Sequence, residues 1–128
     1  MTLRSPLGRV LGSGAARHGV HDWWRQRVSS VALVPLSVWF VASLLSQPAL
    51  DHATVAGWIG SGWTPVLLAL LVLTAAHHSQ LGLRVIVEDY VHGAGAKVLA
   101  LLAITFAHAL LAAAGLFAIL KLAFGAAP

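Results

Sequence analysis

The stretch VSSVALVPLSVWFVASLLSQPAL, residues 28–50, decides the fold class because none of its 23 residues carries a charge. A helix that crosses the hydrocarbon core of a bilayer needs about 20 predominantly apolar residues. Pro35 lies inside the stretch, and membrane spans tolerate proline where neighbouring groups satisfy the carbonyl that it frees. The stretch therefore predicts a membrane-spanning helix, which we place at about 28–47.

Two further apolar runs of spanning length follow along the chain. Residues 52–83 carry no formal charge, and glycines between positions 57 and 62 interrupt the start of this run. We therefore expect the second span at about 64–87. A third uncharged run covers residues 98–120 and is again 23 residues long, so it predicts the third span.

The composition of the 128-residue chain supports a membrane protein. Charged residues make up 9% of the chain, against about 25% in an ordinary soluble domain, and the mean hydropathy is +0.84. The absence of cysteine excludes disulfides, thiolate metal sites and cysteine nucleophiles. We predict an all-α membrane protein, with a basic segment at 1–27 and a three-helix transmembrane domain at 28–124. Three helices enclose little space, so a buried cofactor would need a second, partner subunit.

The distribution of lysine and arginine predicts the orientation in the membrane. Five of the eight precede residue 28, the loop at 47–63 has none, the region 84–97 has two, and Lys121 is the last. This seven-to-one asymmetry places the N-terminus in the cytoplasm and the C-terminus in the periplasm. Because the basic residues form no face of a soluble fold, we attribute the pI near 10.8 to topology and lipid headgroups, with no nucleic acid as a partner.

The second span contains two adjacent histidines, His77 and His78. An intramembrane histidine either binds a cofactor, typically haem iron, or forms a hydrogen bond with a neighbouring helix or faces a headgroup. At about 100° per residue, Gly82 and Asp89 lie about 40° and 20° round the helix from His78. These three residues therefore share a stripe on which a flat macrocycle has room, and His77 fits that stripe less well. For His108, in the third span, we expect a helix–helix hydrogen bond.

The cytoplasmic ends of the first two spans carry further candidate residues. Tyr90 is either a hydrogen-bond donor to a quinone, with Asp89 orienting it or relaying protons, or a residue of the interfacial aromatic belt. Arg27 either pairs with a haem propionate or with Asp89, or anchors the topology. Ser29 and Ser30 either belong to a pocket for the haem or the quinone or bond back to helix carbonyls.

Two motifs in the chain resemble one family of respiratory membrane anchors. The first is GVHDWWRQRVSS at residues 19–30, which continues into LVPL at 33–36. The second is the spacing His-x3-Gly-x6-Asp-Tyr, from His78 to Tyr90. Both resemble the small hydrophobic anchor subunit, the D subunit, of succinate dehydrogenase (respiratory complex II), of the alphaproteobacterial type. The likeness covers roughly residues 18–121.

The resemblance implies roles for individual residues. His78 matches the histidine that gives one axial ligand to haem b, with the other ligand supplied by the larger anchor subunit, and Gly82 would pack against this shared haem. Tyr90 matches the tyrosine that binds the substrate ubiquinone, and Asp89 is its acidic neighbour. Arg27 matches an arginine near the haem propionates and the quinone pocket, in which Ser30 is a further candidate.

The resemblance also implies partners, location and activity. The partners are the cytochrome b large anchor subunit, an iron–sulfur subunit and a flavoprotein subunit, in the bacterial inner membrane. Succinate oxidation would take place in the flavoprotein, so this chain alone is not a catalyst. Two other functions are compatible with the residues: a haem-free structural anchor, and a small transporter component with His77, His78 and His108 along a proton path.

Overall fold

The computed structural model describes residues 18–125 and folds them into four helices without any strand. Helix α1 spans His18–Leu45, α2 spans His52–Ile59, α3 spans Thr64–Tyr90 and α4 spans Ala94–Phe124. The prediction of an all-α protein is confirmed.

Three of these helices are long and apolar enough to cross a bilayer, namely Val20–Leu45, Thr64–Tyr90 and Ala94–Phe124. At 1.5 Å per residue, the 27 residues of α3 extend about 40 Å, which exceeds the hydrocarbon core of about 30 Å. The ends of the helices therefore reach the headgroup region, and the prediction of three spans is confirmed.

Helix α1 begins at His18, ten residues before the uncharged run. Residues 18–27, which we expected to be part of the basic segment, form the first turns of the same continuous helix. No proline or glycine interrupts the chain between Val20 and Val34, so the backbone hydrogen bonds continue outward from the span. The remainder of the predicted basic segment, residues 1–17, lies outside the described residues.

The connection between the first two spans contains the short helix α2, which we did not predict. Asp51 caps its N-terminus by accepting hydrogen bonds from the backbone N–H and the hydroxyl of Thr54, each at 3.0 Å. The hydrogen bond from the Thr54 backbone N–H is the largest cause that lowers the pKa of the Asp51 carboxyl, and the bond from the Thr54 hydroxyl is the second. An aspartate three residues before a threonine is a typical capping signal. The helix ends at Gly60, and Gly62 makes the following turn with a φ of +51°.

Helix α3 is the centre of the arrangement. It packs against α1 on one side and α4 on the other, and within residues 18–125 α1 and α4 do not contact each other. Helix α4 approaches α3 closely at Gly115, where an added Cβ would lie 2.9 Å from Val72 Cγ1. The short helix α2 contacts α3 and α4. Its Trp58 ring also lies 6.2 Å from that of Trp39 on α1.

Little of the surface is buried within the chain itself. The buried apolar residues among those described are Leu68, Leu81 and Ile119. Large side chains elsewhere on the spans remain exposed, and Phe106 is 70% exposed. A row of three helices leaves such faces available to lipid or to partner helices. Among the described residues, the one buried polar side chain is Ser29, at 6% exposure, and it marks the candidate site.

Candidate functional site

His78 is the side chain through which α3 is hydrogen-bonded to α1. Its Nδ1 lies 2.9 Å from the hydroxyl oxygen of Ser29, and its Nε2 lies 3.2 Å from the amide nitrogen of Gln26. His78 itself is partly buried. Both ring nitrogens are therefore engaged by neighbouring side chains on one helix, which fixes the orientation of the imidazole.

The contacts around His78 agree on one tautomer. The Ser29 hydroxyl donates to the backbone carbonyl of Gln26 at 3.0 Å. With its single proton on this bond, the Ser29 oxygen can accept from Nδ1–H of His78. In a neutral ring Nε2 then carries the lone pair, and it accepts from the amide N–H of Gln26. This form is the one that coordinates a metal through Nε2, with Nδ1–H bonded to an orienting group.

Gln26 occupies the space in front of the Nε2 lone pair. Its carbonyl oxygen, Oε1, is buried and has no hydrogen-bond partner within the described part of the chain. A buried acceptor without a partner costs about 1–3 kcal/mol. The Gln26 side chain thus satisfies His78 while leaving one of its own polar atoms unsatisfied.

Gly82 faces the same space one turn along α3. A Cβ added there would lie 3.8 Å from the amide nitrogen of Gln26, which is an ordinary van der Waals contact. His78 and Gly82 therefore face the same side chain of α1, as their helical spacing predicts. The role of Gly82 in haem packing stays a prediction.

A cavity of about 280 Å³ lies between α1 and α3, next to Gln26 and toward the end where α1 begins and α3 ends. It is lined by Asp22, Trp23 and Gln26 of α1 and by Leu81, Arg84, Val85 and Glu88 of α3. The cavity therefore has apolar walls together with a cation and two carboxylates. Arg84 and Glu88 form an ion pair of 3.7 Å within α3, and both side chains are more than a third exposed.

Asp89 and Tyr90 are the last two residues of α3. Both are exposed, Tyr90 to 77%, and neither lines the cavity. Tyr90 follows His78 by twelve residues, which corresponds to about 18 Å along the helix. The structure therefore places these two residues at the end of the span and does not bring them together with His78.

Arg27 and Ser30 make contacts within their own helix. The Arg27 guanidinium lies 5.4 Å from the ring centre of Trp23, a cation–π distance, and within residues 18–125 it forms no ion pair with Asp89. Ser30 donates to the Gln26 carbonyl at 2.8 Å, the back-bonding arrangement described above as one of its two alternatives.

The two other histidines of the spans differ from His78. Nδ1–H of His108 donates to the carbonyl of Ile104 at 2.8 Å, and its Nε2 lies 3.2 Å from the Ser79 hydroxyl. The expected helix–helix hydrogen bond of His108 is confirmed. The His77 side chain makes no hydrogen bond within the part of the chain that the structure describes. That part also contains no cluster of three histidine, aspartate or glutamate side chains able to hold a bare metal ion.

Sequence reasoning missed Gln26 and the contact between Ser29 and His78. A signal was present, since Gln26, Ser29 and Ser30 are spaced three and four residues apart and so share one face of α1. Polar residues on one face at the start of a span indicate a polar partner on a neighbouring helix.

Comparison with known proteins gives consistent results. The family model described as "Succinate dehydrogenase/Fumarate reductase transmembrane subunit" matches residues 1–112. A Rickettsia conorii protein is 30% identical over 89 residues, 69% of this chain and 71% of the relative. A Paracoccus denitrificans protein is 28% identical over 122 residues, 95% of this chain and 94% of the relative. Both relatives are named succinate dehydrogenase hydrophobic membrane anchor subunits.

The match to the family model covers most of the chain, and the Rickettsia conorii relative aligns over more than two thirds of both proteins. The three apolar helices agree with a multi-pass protein of the bacterial inner membrane, as the resemblance implied. The chain belongs to the succinate dehydrogenase/fumarate reductase transmembrane subunit family, together with the hydrophobic membrane anchors of succinate dehydrogenase.

Proposed function

We propose that the chain anchors a succinate:ubiquinone oxidoreductase in the membrane, and that His78 supplies one axial ligand to haem b. The single observation that carries this proposal is the 2.9 Å contact between Nδ1 of His78 and the Ser29 hydroxyl, which accommodates the Nδ1–H tautomer. A histidine in this state presents the lone pair of Nε2 for coordination. The second ligand would come from the cytochrome b large anchor subunit, as the resemblance implies.

The residues around His78 fit a haem. Gly82 leaves the wall of α3 flat one turn from the ligand, where a side chain would meet the macrocycle. Arg27 is exposed, and its contact among residues 18–125 is the cation–π contact with Trp23, so its guanidinium is available to a propionate. When bound, haem b supplies a centre that accepts and releases one electron at a time.

We assign ubiquinone binding to the end of α3. The Tyr90 hydroxyl is exposed and donates to a quinone carbonyl, which offers acceptors only. Asp89, beside it, orients the hydroxyl or relays protons to the reduced quinone. Ser30 is a secondary candidate, because its hydroxyl is engaged with the Gln26 carbonyl and must turn to reach a ligand.

The exposed surfaces of the chain leave room for the proposed partners. The apolar faces of α1 and α4 remain open in the isolated chain, and they accommodate the large anchor subunit and lipid. We place the iron–sulfur and flavoprotein subunits on the cytoplasmic side, near Tyr90, so that electrons pass from the iron–sulfur protein to quinone. The N-terminus then faces the cytoplasm and the C-terminus the periplasm, as the lysine and arginine distribution predicts.

The test is the reduced-minus-oxidised absorbance spectrum of the purified complex. We expect the wild-type complex to show a low-spin haem b band and His78→Ala to lose or displace it, because an axial ligand is removed. His77→Ala is the matched control and should keep the band, since His77 lies about 100° from the stripe. If His78→Ala retains the band and His77→Ala loses it, the ligand is His77 and the proposed assignment to His78 is wrong.

A haem-free structural anchor is the second candidate function. It is favoured by the fact that Ser29 and Gln26 satisfy both nitrogens of His78 within the chain. In that case the three side chains act as an interhelical clamp, and the wild-type complex shows no haem band at all.

A further inference from the structure

We propose that Gln26 is a movable cap on the ligand atom of His78, and that Ser29 holds the ring in its coordinating tautomer while the cap is in place. This inference rests on the proposed role of His78 as a haem ligand and adds two positioning residues to it. The two contacts have opposite consequences for haem: Ser29 favours binding, and Gln26 competes with it.

The competition follows from the geometry. The amide nitrogen of Gln26 lies 3.2 Å from Nε2 of His78, in the direction of the lone pair that an iron would use. Nitrogen cannot donate that lone pair to iron while it accepts a hydrogen bond from the amide. Gln26 must therefore leave before His78 can coordinate.

The structure provides a second place for the Gln26 side chain. Gln26 lines the cavity of about 280 Å³ between α1 and α3, together with Asp22 and Arg84. The cavity contains a guanidinium, that of Arg84, which can donate to Oε1, and a carboxylate, that of Asp22, which can accept from the amide nitrogen. In its present position Oε1 has no partner among the described residues, so the movement satisfies an atom that is now unsatisfied.

Ser29 has the complementary role. It is 6% exposed, and its hydroxyl lies 3.0 Å from the Gln26 carbonyl; with that bond made, its oxygen accepts from Nδ1–H of His78. The proton is thereby kept off Nε2 whether or not the cap is present. A hydrogen bond of this kind also raises the basicity of a ligating histidine.

The experiment uses the assembled four-subunit complex, produced without haem and then titrated with haemin. The formation of the low-spin band reports the apparent affinity and rate of haem binding, independently of enzyme activity. We expect Gln26→Ala to bind haem faster than wild type, because alanine removes both the amide and the side-chain bulk in front of Nε2. Gln26→Glu should bind more weakly, because a carboxylate facing Nε2 favours a proton there.

The serine variants test how Ser29 contributes to the affinity for haem. Ser29→Ala should weaken haem binding by about 10- to 100-fold, the usual effect of removing an orienting partner, and Ser29→Thr, which keeps a hydroxyl, should restore it. Ser79→Ala is the matched control: it removes a serine hydroxyl from the other serine–histidine contact, with His108, and should leave haem binding at the wild-type level. Subunit stoichiometry verifies the assembly of each variant.

The outcomes separate this inference from the proposed function. If the wild-type complex takes up no haem, or if His78→Ala takes it up normally, the proposed function fails. If His78→Ala loses haem while Gln26→Ala and Gln26→Glu bind like wild type, the cap is refuted and the ligand stands. If Ser29→Ala binds haem no more weakly than Ser79→Ala, the positioning role of Ser29 is refuted.

Discussion

At His78 a single hydroxyl decides where the ring proton resides. The Ser29 oxygen receives Nδ1–H because its own proton is directed to a backbone carbonyl. The same residue type on the opposite side of α3 behaves differently: the Ser79 hydroxyl faces Nε2 of His108, whose Nδ1–H is directed to the Ile104 carbonyl. In both pairs Nδ1 carries the proton and Nε2 the lone pair; the partner of Nε2 is a serine hydroxyl at His108 and the Gln26 amide at His78.

At the same scale, Tyr90 is expected to bind quinone through its hydroxyl. Tyr90→Phe removes one neutral hydrogen bond, which contributes about 0.5–1.5 kcal/mol, so the quinone reductase efficiency of the complex should fall about three- to tenfold. The measurement is succinate-dependent quinone reduction. Succinate oxidation with an artificial acceptor upstream of quinone is the control and should be nearly unchanged, because that chemistry lies in another subunit.

Asp89→Asn distinguishes a proton relay from a helix-end charge. It should reduce turnover more than Tyr90→Phe if the carboxylate relays protons, and only weakly if it does not. Wild-type quinone reduction and inhibitor binding in both variants would place the quinone site elsewhere in the complex.

At the scale of helices, the contact between α3 and α4 depends on the absence of a side chain at Gly115. A Cβ there would lie 2.9 Å from Val72 Cγ1, and a valine in a helix has one strongly preferred rotamer, so it cannot turn away cheaply. Gly115→Ala should therefore lower the free energy of unfolding by about 1–3 kcal/mol, the usual cost of overpacking. The measurement is the thermal midpoint of the detergent-solubilised complex.

The control for Gly115→Ala is the same substitution at Gly57, where an added Cβ meets nothing within 4 Å. Gly57→Ala should leave the midpoint unchanged or raise it, because alanine favours the helix. Restoration by Val72→Ala in the Gly115→Ala background would identify this contact as the cause. Equal thermal midpoints for Gly115→Ala and wild type would show that α3 and α4 accommodate the added methyl group without loss of stability.

The helices differ in how well the sequence predicts them, and the reason is physical. The three spans are long uncharged runs, and a bilayer admits few alternatives for such a run. Helix α2 has eight residues and two neighbouring glycines, so its formation depends on the Asp51 cap and on the packing of Trp58 against α1. The early start of α1 was missed because charged side chains end a membrane span without ending a helix.

The candidate site is predictable to a smaller extent. His78 and Gly82 follow from helical spacing within one span, which the sequence encodes directly. Their contact with Gln26 and Ser29 depends on the rotation and depth of α1 against α3. Those quantities are set by packing between helices, and the residue spacing within one helix does not reveal them.

At the scale of the whole molecule, the prediction concerns orientation. The chain has no native cysteine, so single cysteines report topology directly. Ser61 and His92 are exposed and lie in the two loops that flank α3. Ser61→Cys should react with an impermeant maleimide added to intact cells whose outer membrane is permeable, whereas His92→Cys should react only after the inner membrane is opened. The reverse pattern would invert the proposed topology.

The central position of α3 has a consequence for biosynthesis. Within residues 18–125, α1 contacts α3 and, through Trp39 and Trp58, the short helix α2, but not α4. The hydrogen bonds to His78 therefore need only α1 and α3, and they can form in the membrane before α4 is inserted. The orientation of the His78 ring thus does not depend on the last helix, which packs afterwards on the other face of α3.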